Sequence, residues 1–235
     1  MELDENNVTN LAESGSPLKR RVRALRRLWT AEIFYTAALL GFAVLALLAN
    51  WYARFSWDAT LQHWIRNVQA PGFGEFMRLV SIPGNGLIPH ILTVLTLLLF
   101  LSMRLRSEAF GILLSTAASG LLNTTLKILV GRPRPLVESG SISSFSGNSF
   151  PSGHVTFFVC YFGFLFFVAY ALLPRGSLSR RLVLLVSLLP ILLIGISRVY
   201  LTAHWPSDTL GSYLFGGVWL AFSLDMYRRW KGRQS

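Results

Sequence analysis

Cysteine is nearly absent from the 235-residue chain. Cys160 is the single one, which excludes an intramolecular disulfide and a Cys-based zinc site, and its place inside an apolar run reads as packing. Charge is also scarce, at 14% of residues against 52% hydrophobic ones, so the apolar excess is the first thing a fold must accommodate. Acidic residues number eleven against 22 Lys and Arg. Outside the tails they are scattered, without the dense carboxylate cluster that a two-metal site wants. No internal repeat is present, and Met1 to about Pro17 has the polar, aperiodic composition of a disordered tail.

What is present is a set of uncharged windows: Ile33 to Ala53, Leu79 to Met103, Ala109 to Leu126, Val155 to Pro174, Leu182 to Ser197 and Thr209 to Leu224. A spanning helix needs about 20 such residues, so the reading is six transmembrane helices. The fifth and sixth reach that length only by borrowing Arg198 and the segment around Asp208. The first exceeds the ~7–15-residue core of a signal sequence and reads as a retained helix.

The net charge of +11 would suit nucleic acid if it lay in one patch, but it follows the loops. Six basic residues from Lys19 to Arg27, then Arg104 and Arg106, then Arg175, Arg180 and Arg181, then Arg228, Arg229, Lys231 and Arg233 all fall on one side of the six-span layout. The positive-inside rule makes that side the cytoplasm, with both termini there. Nucleic acid is therefore not an expected partner; the lipid bilayer is. The chain divides into a basic tail (1–28), a six-helix transmembrane domain (29–227) and a second basic tail (228–235).

This topology brings three distant segments to one extracytoplasmic face. Lys127 lies about nineteen residues beyond the cytoplasmic start of the third helix, near the opposite surface at ~1.5 Å per residue. "KILVGRPRP" follows it there. The fourth helix starts outside with "FPSGH", where Pro151 suits a first turn and Ser152, Gly153 and His154 occupy the helix N-terminus. The fifth helix ends outside with Arg198 and His204, and Asp208 opens the sixth. Lys127, Arg134 and Arg198 are cations, Ser152 and the Gly153 amide are neutral donors, and the histidines can move protons or attack, which together suit a phosphate group. Asp208, four residues after His204, can fix one ring nitrogen and leave the other to attack phosphorus, with His154 as the acid for the leaving oxygen.

"KILVGRPRP" (Lys127 to Pro135), "PSGH" (Pro151 to His154) and "SRVYLTAHWPSD" (Ser197 to Asp208) resemble, in order and spacing, the three-part signature of the type 2 phosphatidic acid phosphatase superfamily. All eleven specified positions match. The resemblance implies an all-α six-helix membrane bundle. It assigns His204 as a nucleophile forming a phosphohistidine, Asp208 as its orienting partner and His154 as general acid and later base. Lys127, Arg134, Ser152, Gly153 and Arg198 would hold the phosphoryl oxygens, with no metal or other cofactor. The implied activity is metal-independent hydrolysis of a lipid phosphate or diphosphate: undecaprenyl diphosphate, phosphatidylglycerol phosphate or phosphatidic acid. Transfer to an acceptor other than water, and a non-catalytic lipid-phosphate binder, are the alternatives; the intact His154, His204 and Asp208 speak against the binder. Compact loops suggest a bacterial inner membrane.

Other residues have plainer readings. Arg132 sits inside the first motif off its specified positions, and either steers phosphate or anchors at the interface. His63 and His90 have no partners nearby in sequence and read as interfacial or packing residues. Trp57, Leu61, Trp64, Ile65 and Val68 follow helical spacing and suggest an amphipathic helix in the interface that shapes a lipid entrance. "ESGSISSFSGNSFPSGH" has a linker's composition. Ala117, Ala118, Gly120, Gly211, Gly216 and Gly217 read as close-packing positions.

Overall fold

A computed structural model describes residues 17–135 and 147–234. The expected N-terminal disordered tail, but for Pro17, and most of the Ser/Gly linker lie outside the described residues. Those described form nine α-helices: α1 (Pro17–Trp51), α2 (Ser56–Arg66), α3 (Phe73–Ser81), α4 (Ile88–Ser102), α5 (Arg106–Leu113), α6 (Ser119–Val130), α7 (Gly153–Leu172), α8 (Leu178–Tyr200) and α9 (Pro206–Gly232). A π-helical turn, Leu114–Ala118, joins α5 to α6, so the third window is one rod, Arg106–Val130.

Among the described residues, four segments are long and apolar enough to cross a membrane: Glu32–Trp51, Arg106–Val130, α7 and α8. A fifth arises if α3 and α4, bent by 56° at their junction, form one span. The single straight helix expected from Leu79 to Met103 is thus corrected to a broken one. Pro83 lacks an N–H for helical bonding, Ile82–Gly84 tightens to a 3₁₀ turn, and Gly86 adopts φ 52°, which glycine tolerates without a Cβ penalty. The sixth window lies in α9, which at 27 residues is about 40 Å long. It falls short in apolarity because Ser207, Asp208, Thr209, Ser212 and Ser223 are buried on its inner face.

α7 occupies the centre, packed against α8, α9 and α6. Phe164 of α7 meets Ile112, Tyr227 and Phe100 in one core cluster, and Val155 and Phe158 meet Ile194 in another. The outside is apolar too: Phe34 on α1, Leu95 on α4 and Val186 on α8 are all more than half exposed. A surface of that kind suits lipid rather than water. Small residues let helices close in as expected at two positions, Gly211 against Phe150 and Gly216 against Val159. At Gly120 and Gly217 an added Cβ would meet nothing within 4 Å, and Ala117 is exposed, so those three are not close-packing positions.

α2 places Asp58 and Gln62 inside and leaves Trp57, Leu61 and Trp64 exposed. Its polar side faces the protein and its apolar side faces out. Val68 lies past its end.

Candidate active site

The start of α7 is the floor of the site. Ser152 is the residue preceding the helix, with extended φ −72° and ψ 115°, and Gly153 is the first helical residue. Pro151 therefore stands two residues before the first helical residue rather than in the expected first turn. Ser152 N–H donates to Ser212 Oγ at 2.6 Å, and that hydroxyl donates to the Asp208 carbonyl at 2.6 Å, tying α7 to α9. Ser152 Oγ is buried and has no hydrogen-bond partner among the described residues. Such a group costs stability unless something accepts from it. At Gly153 a Cβ would sit 3.3 Å from Asn123 Oδ1, so glycine lets Asn123 close in.

His204 lies in the turn between α8 and α9 and is 2% exposed. Arg134 Nη1 is 3.3 Å from its Nε2 and also donates to the Ala203 carbonyl at 2.7 Å. Because arginine has only donors, Nε2 is the accepting nitrogen and the ring proton belongs on Nδ1. Nδ1 in turn lies 3.6 Å from Asp208 Oδ2, a distance that must shorten to become a hydrogen bond. Burial, and then the charges of Lys127, Arg134 and Arg198, hold the His204 imidazole well below the ordinary histidine range, with only the Ser149 backbone pulling the other way. The neutral ring is thereby favoured, with Nε2 carrying the lone pair that faces Arg134.

The other two cations come from two helices, α6 and α8. Lys127, at the end of α6, donates to the Asn148 carbonyl at 2.8 Å, and Asn148 Nδ2 returns a bond to the Lys127 carbonyl at 2.8 Å. Arg198, 2% exposed, donates from Nη1 to Ser81 Oγ at 3.0 Å. The His154 ring is close enough to interact electrostatically with His204, Lys127, Arg134 and Arg198. All eight residues singled out in the three motifs thus lie in one site or in its immediate support.

Four supporting residues were not legible in the motifs. Asn85, from the break between α3 and α4, places Oδ1 2.8 Å from His154 Nε2; its signal was the Pro and Gly interruption "IPGNG" in an apolar run. Ser81 and Ser212 carried no signal. Asp58 read as a scattered acid, yet it is fully buried and takes the other arm of Arg132. Arg132 Nη1 bonds Asp208 Oδ1 at 2.6 Å and Nη2 bonds Asp58 Oδ2 at 2.8 Å, while the guanidinium stacks over Phe55 at 4.7 Å. Arg132 is consequently neither a phosphate-steering group nor an interface anchor. It is 1% exposed and spent on two carboxylates.

From His154 a groove of about 600 Å³ runs between α4 and α6, lined by Gly84, Pro89, Val94, Leu113, Gly120 and Phe157. Gly120 opens this space instead of closing a helix contact. His90 lines it also, while His63 bonds Asn67.

The fold and motifs have counterparts. Residues 108–231 match the family model for the PAP2 superfamily. Phosphatidylglycerophosphatase B of Bacillus subtilis is 28% identical over 179 residues, 75% of this chain and 86% of that protein. Lipid A 1-phosphatase of Rhizobium etli is 36% identical over 120 residues, about half of each chain at 47%, and the putative undecaprenyl-diphosphatase YbjG of Escherichia coli is 30% identical over 135 residues, 53% of this chain and 63% of that one. The crystal structure of the transmembrane PAP2 type phosphatidylglycerolphosphate phosphatase from Bacillus subtilis superposes with a TM-score of 0.70 at 26% identity, covering 83% of this chain and 96% of that one. With that match across more than half its length, three intact motifs and one gathered site, this integral membrane chain belongs to the PAP2 superfamily and is a lipid phosphatase, a phosphoric monoester or diphosphate hydrolase.

Proposed function

We propose that the protein hydrolyses a lipid phosphate or lipid diphosphate at the extracytoplasmic face of a bacterial inner membrane, through a phosphohistidine on His204. One observation carries this reading: the buried His204 ring lies among the charges of Lys127, Arg134 and Arg198, and His154, which feels the same three cations, lines an apolar groove. The phosphate would sit among Lys127, Arg134, Arg198, Ser152 Oγ and the Gly153 amide, and the hydrocarbon chain along the groove beyond His154. Undecaprenyl diphosphate, phosphatidylglycerol phosphate and phosphatidic acid all meet that description.

In the first step the Nε2 lone pair bonds phosphorus while the P–O bond to the lipid breaks, and His154 gives its proton to the departing oxygen. In the second, His154 takes a proton from water, whose oxygen bonds phosphorus as the P–N bond breaks and inorganic phosphate leaves. The cations lower the charge repulsion in both steps, and Asp208 steadies the ring as it becomes cationic. The first step needs neutral His204 at the outset, which its burial and neighbours favour.

The domain is read as six spans over 29–227 between cytoplasmic basic tails, 1–28 and 228–235. α9 supplies the sixth and the bent α3–α4 pair the second. Positive charge in the tails and even-numbered loops supports that orientation. α2, apolar face outward, lies in the extracytoplasmic interface.

The test is to trap labelled phosphoenzyme by acid-free denaturation and to assay p-nitrophenyl phosphate beside a lipid phosphate. His204→Ala is expected to abolish turnover and label together. His154→Ala should slow the lipid by ~10²–10⁴-fold and the activated ester, whose leaving group needs no proton, far less. Label on His204→Ala, or equal losses for both substrates with His154→Ala, would overturn the roles.

A further inference from the structure

The buried chain Asp58–Arg132–Asp208 points to a positioning residue outside the three motifs. We infer that Asp58, on the interfacial helix α2, holds Asp208 in register with His204 by dividing the Arg132 guanidinium between two carboxylates. The inference rests on the phosphohistidine reading above, because it concerns the group that steadies that ring.

Every oxygen in the chain has an assigned task. Asp58 Oδ2 accepts from Arg132 Nη2 at 2.8 Å, from Ser207 Oγ at 2.8 Å and from the Phe55 amide at 3.2 Å, and Asp58 Oδ1 accepts from the Ser207 amide at 2.9 Å. Asp208 Oδ1 takes Arg132 Nη1, while Oδ2 accepts from the Trp205 amide at 2.9 Å and faces His204 Nδ1. Both carboxylates and the guanidinium have side chains at 0% exposure. A guanidinium offers a planar fork and by preference engages one carboxylate with both arms. With Asp58 present only one arm reaches Asp208, so Oδ2 stays turned to the histidine.

Charge gives the same answer. Two carboxylates and one guanidinium leave a net negative charge beside His204, which opposes Lys127, Arg134 and Arg198 and favours the positive ring that forms as nitrogen bonds phosphorus. Removing the charge of Asp58 lets Arg132 cancel Asp208. A buried charge left without a partner would also strain the pocket, so the variant must keep the shape.

The experiment uses the full-length detergent-solubilised protein and p-nitrophenyl phosphate. Asp58→Asn preserves the shape and removes the charge; kcat is expected to fall on the order of tenfold or more, with KM within a factor of two and with the same factor on a lipid phosphate. Labelled phosphoenzyme should form more slowly in rapid mixing. The decisive reading is the double variant with Asp208→Asn: if Asp58 acts through Asp208, the double is no slower than Asp208→Asn alone. Unchanged kcat in Asp58→Asn, or losses that multiply in the double, would overturn the inference. Ser207→Ala, which removes one hydroxyl from Asp58 and Arg132 without altering charge, provides the same cycle at smaller amplitude should Asp58→Asn not fold. His204→Ala in parallel separates the two levels: label surviving there refutes the phosphohistidine reading, whereas label lost there with Asp58→Asn at full rate refutes only the role of Asp58.

Discussion

Gly84 lies under the His154 ring, and its replacement by alanine is the sharpest single perturbation the fold offers. A Cβ there would collide with His154 Cδ2 and would stand 2.8 Å from Cγ and 3.1 Å from Nε2. Carbon atoms in contact prefer about 3.5–4.0 Å, so the ring must retreat by about 1 Å. That movement also stretches the 2.8 Å bond from Nε2 to Asn85 beyond useful range. A misplacement of this size costs on the order of 100-fold in rate, about 2.7 kcal/mol of barrier. Gly84 is not among the residues with positive φ, so the backbone accepts alanine, and the melting temperature should change little. Turnover of a lipid phosphate by Gly84→Ala should fall by about 100-fold and that of p-nitrophenyl phosphate by only a few-fold, since only the first needs a proton from His154. Equal losses on the two substrates, or wild-type turnover of the lipid, would show that the ring position does not govern leaving-group departure.

Lys127→Met should both weaken substrate binding and change the pH profile in a defined direction. In the proposed mechanism His204 attacks as the neutral ring, and burial with three cations lowers its protonation range; the acid limb of kcat/KM is therefore expected below the ordinary histidine value of about 6.5, after correction for the substrate's own titration. Removing one cation should move that limb to higher pH, and an unmoved or lowered limb would refute the electrostatic account. For topology, cysteines are expected to react with an impermeant thiol reagent in intact cells at Gln69 and not at Arg175, both of them exposed, in a Cys160→Ser background; the reverse would invert the orientation.

The site was legible where chemistry is held in short, fixed spacings. His204 and Asp208 share one helix entrance, and Ser152, Gly153 and His154 share another, so their proximity follows from local geometry. Lys127 and Arg134 join them because the third helix must end on that face. Arg132 was ambiguous because its partners lie 74 and 76 residues away, and nothing in a single sequence ties a lone Asp58 in a loop to an arginine that far off. Asn85 is 69 residues from His154; the Pro and Gly cluster around it shows that a helix breaks there, without showing which way the broken end turns.

The spans follow the same physics from the opposite direction. α1 and α8 are strongly apolar because lipid solvates much of their surface, and α7 because it fills the core, and hydropathy finds all three readily. α9 is the helix whose inner face builds the site. Asp208 bonds Arg132 and caps the helix entrance, Ser207 bonds Asp58, and Ser212 bonds both the Ser152 amide and the Asp208 carbonyl. Each of those polar side chains lowers the apolarity of the segment while being fully buried, where lipid never meets it. The bent α3–α4 pair loses its regularity for a related reason, since the break delivers Ser81 towards Arg198 and Asn85 towards His154. The two segments that depart from a single straight apolar rod are therefore two that bring supporting residues to the site, and in a membrane phosphatase of this kind such a departure is a place to look for the chemistry.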